Sequence, residues 1–178
     1  RIFSVQSDAT AALTTDPESD YFRYRAKQIL AGVGGSGEAE AAKRSYTWLT
    51  DELVLSAWRA ATEYLHPLSN PTDGERLALI AVGGYGRGEM APYSDVDLLF
   101  LTPYKQTAWG ESVIESVLYT LWDLKMKVGH ATRTIDDCLR LAAEDITIRT
   151  ALLEHRRICG DAALARLLTQ KLWRNLFR

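Results

Sequence analysis

Residues 77–101 constrain this chain most. Leu77-Ala78-Leu79-Ile80-Ala81-Val82 is a short continuous apolar run bounded by turn residues, as in a buried strand. It breaks directly into Gly83-Gly84-Tyr85-Gly86-Arg87-Gly88. A second strand-like run follows, Asp95-Val96-Asp97-Leu98-Leu99-Phe100-Leu101, opened by Pro92-Tyr93-Ser94 and closed by Thr102-Pro103. Two such runs, set among helical periodicity, predict a small α/β core.

The same stretch carries the chemistry. Gly83 and Gly84 have no side chains, so a phosphate can approach their backbone N–H groups closely. Arg87 is placed to add a charge-assisted contact to that anion. Asp95 and Asp97 are i and i+2 in a strand, so they share one face. Two adjacent carboxylates at the start of an apolar strand are poorly tolerated without a cation. Hard oxygen ligands suit Mg²⁺, which keeps waters and shares substrate phosphates. Taken singly, Gly83-Gly84 reads as a tight turn and Asp95 as a cap or turn residue. At this spacing they read together as a metal-nucleotide site for phosphoryl or nucleotidyl transfer.

The flanks are helical. Tyr46, Leu49, Leu53, Ala57, Ala60 and Tyr64 form one face of a helix over 38–65, widened by Trp48, Val54, Trp58 and Leu65. His66-Pro67 stops it. A short helix is expected over 20–30, then a flexible Gly-rich connector over 32–37. A further helix runs from 108 to 124, and Met126, Val128, His130 and Thr132 alternate as a third strand. Thr134 caps a helix to Ala143, and Asp145 caps the next, which runs to about Ile158 and is ended by Gly160. A last amphipathic helix over 161–177 buries Leu164, Leu167, Leu168, Leu172 and Leu176 together. The expected division is a lead-in and connector over 1–37, a core over 38–133 and a helical extension over 134–178.

Composition narrows the function. Lys plus Arg is 21 and Asp plus Glu is 23, a net charge of −2 that argues against a protein wrapping nucleic acid with a basic surface. Cys138 and Cys159 are too few for a disulfide framework or a four-thiolate zinc site, and read as free thiols in a reducing compartment. No run of about 18 apolar residues encodes a membrane span, and the first ten residues lack the apolar core of a secretory signal. The expected compartment is the cytoplasm, without a membrane partner. The missing initiator Met and the ending at Phe177-Arg178 suit a piece of something longer.

Gly83-Gly84, ten intervening residues, then Asp95-Val96-Asp97 resembles the signature of the DNA polymerase β-like nucleotidyltransferase superfamily. The fuller run 80–101 is similar to one subfamily, the uridylyltransferase domains of bacterial [protein-PII] uridylyltransferase/uridylyl-removing enzymes. So are Leu121-Trp122-Asp123-Leu124-Lys125-Met126-Lys127-Val128-Gly129-His130-Ala131-Thr132-Arg133-Thr134 and residues 145–156. The resemblance covers about residues 40–170.

It implies an α/β (α+β) fold: a small mixed sheet of the polymerase β-like type, with flanking helices and a C-terminal helical tail. It implies that Gly83 and Gly84 bind UTP phosphates, with Arg87 or Ser94 assisting, and that Asp95 and Asp97 hold Mg²⁺. The acceptor would be a tyrosine hydroxyl on the PII signal protein, in nitrogen regulation. The subfamily's uridylyl-removing domain needs a His-Asp pair, and His66, His130 and His155 are each followed by another residue type. Its glutamine-sensing domains need far more chain. Superfamily members commonly carry a third carboxylate on the strand beside the Asp pair, but Lys125 to Arg133 holds no acid. Lys127 and His130 sit where one is expected. Asp123 lies just before that strand, and Asp145 is taken as the third acid, supporting the site from its edge. The alternatives are a nucleotidyl or adenylyl transferase with another acceptor, and an inactive nucleotide-binding regulatory module.

Overall fold

The computed structural model describes residues 36–91 and 93–176. The helix expected over 20–30 and most of the connector lie outside them. The first described helix, α1 (Ser36–Arg59), begins within the expected connector, at Ser36. It widens into a π-helical turn over Ala60–Leu65 before His66.

After a 3₁₀ turn at Asp73–Glu75 the order is β1 (Ala78–Ala81), α2 (Gly83–Arg87), β2 (Val96–Thr102), α3 (Ala108–Asp123), β3 (Val128–Thr134), α4 (Ile135–Glu144), α5 (Ile146–Leu153), β4 (Arg156–Gly160) and α6 (Ala162–Leu176). One mixed sheet has the order β3-β2-β1-β4. β1 runs antiparallel to β2 and to β4, and β2 runs parallel to β3. The parallel pair needs a crossover, which α3 supplies.

Strand alternation explains why β1 and β2 are apolar throughout. Leu79, Ala81, Leu98 and Phe100 face one core with α1 and α3, including Val54, Ala57, Val113, Val117 and Leu121. Ala78, Ile80, Leu99 and Leu101 face a second core with Cys138, Ala142, Leu152, Leu164, Leu168 and Leu172. A strand covered on both faces has no solvent side to polarise.

Thr134 caps α4, its hydroxyl accepting from Asp137 N–H while the Asp137 carboxylate accepts from Thr134 N–H. Thr107 caps α3. Three expectations need correction. The helix begun at Asp145 stops at Leu153, and residues 156–160 form β4 instead of its last turns. The free edge of β1 takes their backbone groups, and this pairing overrides local pattern. Leu167 is 42% exposed, one step off the stripe of Leu164, Leu168 and Leu172. Trp48 of α1 and Tyr64 of the π-helical turn are 54% and 78% exposed, so neither joins the buried stripe as the spacing predicts. Among the described residues, no helix is long and apolar enough to cross a membrane.

Candidate active site

The glycine corner and the acidic strand meet because β1 and β2 are antiparallel neighbours: the end of one lies beside the start of the other. Val82 N–H donates to Asp97 O at 3.1 Å, stitching the two together. Gly83 has φ +59°, a turn that an L side chain adopts only with strain. It launches α2, so Gly83-Gly84 opens a short helix rather than a simple turn.

Asp97 lies on β2, half-buried, and Asp95 is exposed one residue before the strand. The Asp97 carboxylate rests between two glycines. A Cβ built on Gly83 would stand 3.6 Å from Oδ2, and one on Gly129 would stand 2.6 Å from Oδ1. Gly129 is the β3 residue in register with Asp97. Burial, and then the charge of Asp95, push the Asp97 carboxyl above its ordinary value. A cation relieves both causes, so the donor set fits a hard divalent metal. Among the described residues, no group of three or more His, Cys, Asp or Glu side chains converges on one point. Of the acidic side chains at this corner, Asp97 and Asp95 are the two that could hold such a cation.

Arg87 reaches back along α2 toward its start, its Nη2 lying 3.7 Å from the Cβ position of Gly84. Its Nε donates to Glu89 at 3.0 Å and its Nη1 to Glu154. Ser94 closes the turn before Asp95: its Oγ accepts from Ala91 N–H at 3.2 Å, and its N–H donates to Ala91 O. Asp145 caps α5, with Oδ1 accepting from Thr147 N–H at 2.7 Å and Ile148 N–H at 3.3 Å. Thr147 and Ile148, unlike Asp145, line the groove of about 290 Å³ that also holds Asp97. Asp123 ends α3 and is exposed. His130 borders the groove, but its ring sits edge-on to Trp122 of α3, centroids 6.0 Å apart.

Sequence reasoning missed several residues here. Gly129 was legible as part of an alternating strand, but its role depends on the register with Asp97. Glu154 meets Arg87 across 67 residues of chain, and no local pattern marks it. Arg156 of β4 ties down the far end of α2. It donates to the carbonyls of Tyr85 and Gly86, and pairs with Asp51 of α1 at 2.8 and 3.1 Å. A cation at the C-terminal carbonyls of a helix is favourably placed.

A glycine-opened helix beside an aspartate on β2 and another just before that strand, in a mixed sheet, defines a nucleotidyltransferase. The "Nucleotidyltransferase domain" family profile matches residues 70–159, from just before β1 through β4, and the chain belongs to that family. Its relatives point further, to bifunctional uridylyltransferase/uridylyl-removing enzymes. That of Ruegeria pomeroyi is 64% identical over 135 residues, covering 76% of this chain and 15% of the relative. That of Cereibacter sphaeroides is 64% identical over 141 residues, 79% of this chain and 15% of the relative. That of Rhodospirillum rubrum is 44% identical over 182 residues, 95% of this chain and 19% of the relative. The chain thus spans less than a fifth of the length of these relatives.

Proposed function

We propose that this site transfers UMP from UTP to a tyrosine hydroxyl of a PII-type signal protein, with Mg²⁺ held by Asp95 and Asp97. The observation that carries the reading is the Asp97 carboxylate seated between Gly83 and Gly129, beside Asp95 and at the start of α2. The names of the relatives support the uridylyl group.

The cation would neutralise phosphate charge and lower the pKa of the attacking hydroxyl. The chain's own contribution is placement. Gly83 and Gly84 leave room for the β- and γ-phosphates against backbone N–H groups, and the Nη2 of Arg87 faces the same space. The α-phosphate then lies near Asp97, open to in-line attack with pyrophosphate leaving. Asp145 is committed to capping α5, so it steadies the groove wall formed by Thr147 and Ile148 rather than accepting the acceptor's proton.

The glycine opposite Asp97 favours a second reading, a nucleotide-binding module that does not turn over. Pyrophosphate release from Mg²⁺·UTP in the presence of purified PII separates the two. Release with UTP and not ATP supports the proposal. UTP binding without release supports the module, and faster release with ATP supports an adenylyl transferase.

A further inference from the structure

The groove beside Asp97 contains a cation that the proposed chemistry leaves unused. Arg133 lies on β3, four residues beyond Gly129 and on the same face by alternation. It is half-buried and lines the groove with Asp97. Among the described residues, its guanidinium has neither a hydrogen bond nor an ion pair. Its charge pulls down on the thiol of buried Cys138, which burial raises to about 12. Arg76, Arg87, Arg140 and Arg156 each meet a carboxylate. A partly desolvated guanidinium without acceptors is costly, and it presents five donors in a fixed planar fork.

The surroundings select the ligand. Asp97 and Arg133 both line the groove, Arg133 roughly 13 Å along β3 from the residue in register with Asp97, at about 3.3 Å per residue. The walls between them include Val82, Ala131, Ile148 and Leu152, which suit a flat, weakly polar ring. The phosphates are assigned to α2, beyond the Asp97 end. What extends inward from the α-phosphate is the nucleoside.

We propose that Arg133 reads the nucleobase, donating to the O4 carbonyl oxygen of uracil. This rests on the uridylyl-transfer reading above. Uracil offers its O4 carbonyl where cytosine and adenine place an exocyclic amine, and a donor-only side chain rejects the amine. Arg133 is thus a specificity-determining residue.

The test is calorimetric binding of UTP, CTP and ATP with Mg²⁺ to the whole chain, as wild type, Arg133→Ala and Arg133→Lys. The wild type should prefer UTP. Arg133→Ala should weaken UTP by roughly 10- to 100-fold while leaving ATP within about twofold. Arg133→Lys keeps a donor-only cation but loses the fork, and should keep the order of preference with a smaller UTP advantage. If Arg133→Ala weakens all three nucleotides equally, or none, a wild type that still prefers UTP leaves the transfer reading standing and overturns the role of Arg133. A wild type that binds ATP as tightly as UTP overturns both.

Discussion

Asp97 and Gly129 face each other across the parallel pair β2–β3, and a Cβ on Gly129 would come within 2.6 Å of Asp97 Oδ1. The carboxylate occupies the space a side chain on β3 would need. We predict that Gly129→Ala displaces it and lowers turnover by about 10- to 100-fold, because the reacting groups depend on sub-ångström placement. The protein should stay folded by circular dichroism. Wild-type kcat in a folded Gly129→Ala protein would show that Asp97 needs no such seat.

Asp95→Asn with Asp97→Asn should abolish transfer and stabilise the metal-free protein. The folded-state pKa of Asp97 is raised, so its ionisation opposes folding. That penalty is absent below the ordinary carboxylate range and grows as pH rises through the raised value. With chelator present, the melting advantage of Asp97→Asn should therefore grow as pH rises above the ordinary carboxylate range and then level off, and Mg²⁺ should erase it. An advantage that is constant with pH would locate the effect elsewhere.

Gly84 tests phosphate approach better than Gly83. The atom nearest a Cβ there is the flexible end of Arg87, at 3.7 Å, whereas Gly83 carries a positive φ. Gly84→Val should fold and yet lose at least about tenfold in UTP affinity, about 1.4 kcal/mol. Unchanged calorimetric binding would reduce the glycine pair to a structural corner.

Asp145→Asn should lower turnover only about tenfold, well short of the 10²–10⁴ of a lost general base. Its capping bonds to Thr147 and Ile148 make it a support for α5. Asp123→Asn serves as the control. An Asp145→Asn protein as inactive as the Asp95/Asp97 double variant would move Asp145 among the reacting groups.

Acid should loosen the join between the segment before β1 and α6. Arg76 donates to Asp161 at 2.7 Å and holds its carboxyl down to about 2, helped by the α6 backbone. A lowered folded pKa gives stability that is present above the ordinary carboxylate value and lost as pH falls toward about 2. Asp161→Asn should therefore melt below wild type at neutral pH, and the gap should close in acid. The gap should also shrink in high salt, since the pair is partly exposed.

Local signals made β1, β2, α3 and α4 legible: continuous apolar runs for the strands, helical apolar spacing for α3, and Thr134 for the start of α4. β4 was hidden because nothing in Arg156-Arg157-Ile158-Cys159 separates it from the preceding helix; its reason to be extended is the unpaired edge of β1. The aspartate pair was legible through its spacing with Gly83-Gly84. The glycine opposite Asp97, the Glu154 contact to Arg87 and the groove position of Arg133 arise only from register and packing, which link residues far apart in the chain.

The backbone around Glu154 lies so close to Gly86 that a methyl group there would overlap the Glu154 carbonyl, and the neighbouring residues bind α2 through both side chain and main chain. The proposed phosphate-holding helix is therefore completed by chain made about seventy residues later. During synthesis, the glycine corner emerges well before the segment that closes over it. Nucleotide affinity should then arrive as a step when β4 docks, instead of growing as the first three strands form. A shortened version ending at β3 would carry the whole glycine-aspartate signature and still lack the part that holds it in shape.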